Sequence, residues 1–171
     1  QQGDKFVLIQ DSLVARERLS VNPADAKVGG ASLAVTVEEM SRDAEFRRVN
    51  LTLVKGFIEK IKMTLQNAAG ATKLTFVSLP VLYFGQPLFD KDFGTKGMAV
   101  AFTPNLANLQ IVGNSYYLPR QFAPNGTGVD LFESVVKDRL GNNVMFVDSW
   151  ATYHINMGDI HCGTLVKREI P

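Results

Sequence analysis

Short apolar runs of strand length alternate along this chain with segments of helical period, and that alternation confines it to α/β architectures. Residues 5–9 read as a buried strand, bounded by Gly3 and Asp11. A short helix is expected over 12–19, then a loop at Asn22-Pro23 and Gly29-Gly30. The longest element is expected to start at Thr36, which stands at capping-box spacing from Glu39, and to run unbroken to Gly70. Within it Phe46, Val49, Leu53, Phe57, Ile61 and Leu65 recur every three or four residues, one apolar stripe expected to pack on the core.

The second half continues the alternation. A β-rich run over 74–79 ends at Pro80, and 83–97 reads as a long surface loop without periodicity. Strands are expected over 98–102 and 109–112, separated by a turn at Pro104-Asn105, with another loop over 116–128. Asp130 caps a helix with Glu133 at the box position, Gly141 ends it, and 144–147 forms the next strand. No repeat or linker divides the 171 residues, which suffice for one domain or a large piece of one.

Composition removes several function classes. A formal net charge of +1, with no basic stripe interleaved with aromatics, gives no electrostatic case for nucleic acid. No apolar stretch reaches membrane-spanning length. A single cysteine excludes an intrachain disulfide framework and a cysteine zinc cluster, and no metal ligand set is assigned. Asn50-Leu51-Thr52 and Asn125-Gly126-Thr127 are sequons, so glycosylation at Asn50 and Asn125 and a secreted, extracellular location are expected. The opening Gln1-Gln2-Gly3-Asp4 is neither an initiator nor a signal sequence, and reads as the start of a processed or excised piece.

The chemistry concentrates at Cys162, in the run Tyr153-His154-Ile155-Asn156-Met157-Gly158-Asp159-Ile160-His161-Cys162-Gly163-Thr164. A thiolate is the strongest nucleophile a protein raises near neutral pH, and these polar neighbours are not those of an inert core thiol. In an extended segment His161 would point away from Cys162, while His154 would need a chain reversal, which Gly158 can provide, to reach it. Each histidine reads as readily as a structural residue as it does an acid or base. Asp159 is a candidate partner for a cation or a cap. A papain-like arrangement is poorly supported, since the cysteine lies at the wrong end of the chain with no His or Asn downstream of it. A cysteine enzyme with its acid, base and carboxylates elsewhere, and an interaction module with an incidental cysteine, both remain open.

Three stretches carry a resemblance: Met98-Ala99-Val100-Ala101-Phe102-Thr103-Pro104-Asn105-Leu106-Ala107-Asn108, then Gly113-Asn114-Ser115-Tyr116-Tyr117-Leu118-Pro119-Arg120-Gln121-Phe122, then Thr152-Tyr153-His154-Ile155 through His161-Cys162-Gly163-Thr164. In order and spacing they resemble the C-terminal part of the catalytic domain of protein-arginine deiminases, closely over about the last seventy residues. The resemblance implies part of a pseudo-fivefold α/β propeller built from ββαβ units. It makes residues 1–171 the C-terminal portion of one catalytic domain, lacking the upstream portion, and Cys162 the nucleophile. In the family this cysteine attacks the guanidinium carbon of a peptidyl arginine, ammonia leaves, and water releases citrulline from the thiouronium adduct.

The family's Gly-His-x-Asp-type motif, which holds the acid/base histidine and one of two guanidinium-gripping aspartates, does not occur here. The implied partners are therefore a complementary N-terminal fragment and a peptide or protein arginine substrate. Asn156 or Met157 replaces a basic residue of the animal enzymes, which marks both as substrate-binding candidates, and Leu165 stands where the family usually has Asn. Asn114, Tyr116 and Arg120 either line the cleft or merely fix their loop. Calcium is a family cofactor, though no calcium-loop pattern is present. The expectation is a secreted enzyme of a microbial or fungal kind. The alternative is a deiminase-fold module that binds arginine-containing peptides without turnover.

Overall fold

The computed structural model describes residues 6–21, 23–30, 34–85, 99–123 and 128–165. Strand β1 (Phe6–Asp11) pairs in parallel with β4 (Thr75–Pro80), from Phe6 opposite Thr75 to Asp11 opposite Pro80. Parallel neighbours require a long crossover, and here it carries most of the helix. The Asp11 carboxylate accepts the Leu13 N–H and so starts α1 (Ser12–Leu19) directly from the strand. A small hairpin of β2 (Lys27–Val28) and β3 (Val35–Thr36) follows.

The capping box at Thr36 forms as read, with Thr36 Oγ1 accepting the Glu39 N–H at 3.1 Å and Glu39 Oε2 accepting the Thr36 N–H at 2.8 Å. The unbroken helix does not. Helix α2 (Val37–Arg42) stops because Asp43 is extended and caps a new helix, accepting the Phe46 N–H at 2.8 Å. Helix α3 (Ala44–Arg48) then passes through a π-helical segment, Val49–Leu53, into α4 (Val54–Ala69), which ends at Gly70 with φ +58°. Wider π turns advance the helix face, so a stripe counted at 3.6 residues per turn leaves the core. Phe46 and Val49 are buried, but Phe57, Ile61 and Leu65 are 55%, 49% and 37% exposed, and Val54 and Ile58 face inward instead. The reading of the whole stripe as core is thus corrected for its second half.

The expected glycosylation at Asn50 meets a direct obstacle. Asn50 is fully buried in the π segment, where Nδ2 donates to the carbonyls of Phe46 and Tyr83, each at 2.8 Å, and Oδ1 accepts the Tyr83 N–H at 2.9 Å. A sugar on Nδ2 has no room there. Asn50 is a clip between the helix and β5 (Tyr83–Gly85). Asn125 lies outside the described residues.

β5 pairs antiparallel with β6 (Ala99–Ala101), so 83–85 is a strand and not the start of a loop; 86–98 lie outside the described residues. β7 (Gln110–Val112) and β8 (Ser115–Pro119) form a hairpin whose Gly113 sits at φ +57°, and β9 (Val144–Val147) pairs in parallel with β8 across α5 (Leu131–Leu140). This is a ββαβ unit. The loop expected from residue 116 is therefore strand up to Pro119. Proline is tolerated because β7 pairs only with Ser115–Tyr117, so Pro119 lies beyond that ladder, and the Arg120 N–H bonds to Val147 in its place. Asp130 caps α5 by accepting the N–H groups of Phe132 and Glu133, but Glu133 reaches toward the Gln121 N–H and not back to the cap.

The fold is α/β, with four small open sheets among the described residues. Leu79, Leu106, Leu118, Val136 and Val144 form one buried cluster, which joins the ββαβ unit to β4 and to the loop after β6. A second cluster, around Leu82, Phe102 and Phe132, takes in the first residue of that same loop. No described helix is long and apolar enough to cross a membrane.

Candidate active site

The segment after β9 is two short turns of 3₁₀ helix, His154–Asn156 and Ile160–Gly163, the second carrying Cys162. Met157 closes the first turn in the left-handed region at φ 62°, a conformation an unbranched side chain tolerates. Gly163 is required by contact: a Cβ there would lie 2.2 Å from Cζ of Tyr153. The segment is thus coiled against itself and not extended, and its polar side chains tie it to the loop after β6.

His154 is buried and stacked on Trp150 with ring centroids 4.7 Å apart. Its Nε2 lies 3.0 Å from the Phe102 carbonyl, which only accepts, so Nε2 bears the proton. Its Nδ1 lies 3.4 Å from Asp159 Oδ1. Asp159, 3% exposed, accepts the Asn105 N–H on Oδ2 at 2.8 Å. Both residues brace the cysteine turn against residues 102–105. His161 is exposed, and its N–H donates to Asn108 Oδ1 at 2.7 Å.

Cys162 is a free thiol and is exposed. Its Sγ accepts a hydrogen bond from Asn108 Nδ2 at 3.0 Å. That bond, then the backbone of Asp159, holds the thiol below its ordinary pKa, while partial burial and the Asp159 charge oppose the shift. Its hydrogen-bond partner Asn108 also lines a cleft of about 280 Å³, together with the apolar Phe84, Val100, Ile155 and Met157 and the polar Asn105, His154 and Asp159. A thiol whose anion is favoured, near a cleft lined by both apolar and polar side chains, has the chemical means to act as a nucleophile.

Of the other candidates, Met157 lines this cleft, whereas exposed Asn156 turns its amide back onto the Thr152 carbonyl at 3.2 Å. Asn114 is exposed on the β7–β8 turn, and Tyr116 packs on the Leu79 cluster. Arg120 lies 3.5 Å from Glu133 Oε1, so it fastens the end of β8 to α5. Leu165 is 96% exposed, with its side chain in solvent. Among the described residues no group of three or more His, Cys, Asp or Glu side chains stands together to hold a metal. Asn105 and Asn108 were missed as site residues. The turn at Pro104-Asn105 was legible, but nothing in the sequence says that Asn108 meets a residue 54 positions away.

The family model for protein-arginine deiminase (PAD) matches residues 11–170. Protein-arginine deiminase type-1 of Homo sapiens is 28% identical over 137 residues, 78% of this chain and 19% of that protein. The type-4 enzyme of Mus musculus is also 28% identical over 137 residues, covering 78% of this chain and 20% of the relative. The type-3 enzyme of Rattus norvegicus is 38% identical over 77 residues, 43% of this chain and 12% of its own length. The chain thus spans about a fifth of the length of the relatives it matches most broadly. With the match running through nearly every described element, from the helix cap at Asp11 to the cysteine turn, this chain belongs to the protein-arginine deiminase family.

Proposed function

We propose that this chain is the C-terminal portion of a deiminase catalytic domain and supplies the nucleophile that converts peptidyl arginine to citrulline. The observation that carries the reading is the exposed Cys162 thiol, held toward its anion by Asn108, a residue that also lines the neighbouring cleft. In the reaction, Sγ forms a bond to the guanidinium carbon, the C–N bond to one terminal nitrogen breaks, and that nitrogen leaves as ammonia after gaining a proton. Water then adds to the thiouronium carbon, the C–S bond breaks, and citrulline departs. Asp159 is the carboxylate of this chain beside the thiol, and it is already engaged by Asn105. The two aspartates that grip the guanidinium, and the histidine that moves the protons, come from the upstream portion.

Two features support an upstream partner and the larger propeller. The β7–β8–α5–β9 unit has the strand order and directions expected of one propeller repeat. Phe57 and Ile61 on α4 are exposed beside a hollow of about 340 Å³ that also takes in Ile9, Val54, Ile58 and Tyr83. This is an apolar surface of the kind a second part of the same domain covers. Calcium binding belongs, in this reading, to the partner portion. Secretion rests on the Asn125 sequon alone, and an endoglycosidase shift on the secreted protein tests it.

The experiment is citrulline formation from an arginine-containing peptide. The 171-residue chain alone is expected to be inactive, and its assembly with the upstream portion active. Cys162→Ser in that assembly is expected to abolish turnover while leaving peptide binding largely intact. Binding without turnover by the unaltered assembly would replace this reading with a non-catalytic arginine-peptide module.

A further inference from the structure

The side chain of Asn108 has two different partners. Its Oδ1 accepts the His161 N–H at 2.7 Å, and its Nδ2 stands 3.0 Å from Cys162 Sγ. An amide has one accepting end and one donating end, and the alternative orientation would set its NH₂ against a backbone N–H. The peptide group therefore fixes the donor onto sulfur. Asn108 is itself held, since its N–H bonds to Asn105 Oδ1 at 3.0 Å and Asp159 in turn secures the Asn105 N–H.

The titratable groups around the thiol are few. Asp159 sits on the same turn, and His161 is adjacent and exposed. Tyr153 packs on Gly163, and His154 is engaged at the Phe102 carbonyl on one nitrogen and lies 3.4 Å from Asp159 on the other. The 102–108 loop packed against the turn presents Asn105 and Asn108, neither of which titrates.

We propose that Asn108 is the positioning residue of the nucleophile: one amide clamps the cysteine turn through its oxygen and presents a fixed, uncharged donor to Sγ through its nitrogen. The proposal rests on the reading of Cys162 as nucleophile and adds how this chain prepares it. A hydrogen bond to an anionic acceptor is stronger than one to a neutral acceptor, so the contact favours thiolate over thiol. The donor keeps the same charge at every pH, so the thiolate fraction follows one proton loss. A cysteine–imidazolium pair would instead show two.

The test uses the full chain and iodoacetamide, a small neutral reagent that needs no arginine site. Cys162 is the only cysteine, so the rate reports it alone. Native chain is expected to show a single step in rate against pH, lying below that of the urea-unfolded chain. Asn108→Ala is expected to slow alkylation about fivefold at a pH below the step, from the difference between charged and neutral hydrogen bonds. Asn108→Asp keeps the oxygen for the His161 N–H but turns an anion onto sulfur, and is expected to be slower still. Wild-type rates in Asn108→Asp would reduce Asn108 to a structural clamp and overturn the proposal. So would two steps in the native profile, or a native step at or above the unfolded one, whether or not the variants fold. An intact profile with no citrulline from the assembly supports this proposal and defeats the deiminase reading alone.

Discussion

Replacing Asn50 by alanine tests the clip that stands where a glycan was expected. The change removes three hydrogen bonds and leaves the N–H and C=O of Tyr83 without their side-chain partners. Each buried backbone group left unsatisfied costs about 1–3 kcal/mol. Tyr83 is partly buried, so the two together set an expected loss of about 2–4 kcal/mol. For a chain of this size each kcal/mol moves the midpoint by about 2–4 °C, so thermal unfolding followed by circular dichroism should fall by about 5–15 °C. Asn50→Asp keeps an acceptor for the Tyr83 N–H but sets a carboxylate against two carbonyls, and should be at least as damaging. A midpoint within about 2 °C of wild type for Asn50→Ala would refute the assignment. A glycosylating host that attaches sugar at Asn50 in folded protein would refute it as well.

Three further outcomes follow from the same geometry. Gly163→Ala forces a Cβ into the Tyr153 ring, so it should cost about 1–3 kcal/mol in urea unfolding and slow Cys162 labelling; unchanged labelling would remove Tyr153 as the wall of the turn. Asp130→Ala loses a cap with three N–H partners, Phe132, Glu133 and Ala123, and should destabilise by about 1–2 kcal/mol, which urea unfolding measures. Glu133 is held above the usual glutamate range, first by burial and then by Asp130. A raised folded pKa means that the native state binds more protons, so its favourable contribution is full below the unfolded pKa and is lost as pH rises through the folded one. Relative to Glu133→Gln, wild type should therefore lose stability between acid and neutral pH; a flat difference in unfolding free energy across that range would contradict the burial argument.

Local signals carried the parts of the fold that were legible in the sequence. The caps at Thr36 and Asp130 and the stops at Gly70 and Gly141 each depend on a few neighbouring atoms, and each stands where it was read. The break at Asp43 escaped because a capping aspartate inside a charge-rich helical run looks like one more solvated charge. The π segment escaped because one apolar period cannot reveal a change of pitch, and its consequence was the exposed second half of the stripe. Pro119 made β8 look like loop, although a proline beyond the ladder with β7 breaks no bond to that strand. At the site, exposed Cys162 stood out by its neighbours, whereas Asn108 could not, because its meaning lies in a contact across the fold.

The central claim is that Sγ of Cys162 bonds to a guanidinium carbon during turnover. The direct measurement is acid quenching of the assembled enzyme on an arginine-containing peptide, followed by peptide mapping of this chain by mass spectrometry. The account predicts a covalent adduct on Cys162 with the mass of the peptide less one ammonia, absent in Cys162→Ser. Citrulline production that persists in Cys162→Ser, with no adduct in the unaltered enzyme, would contradict it.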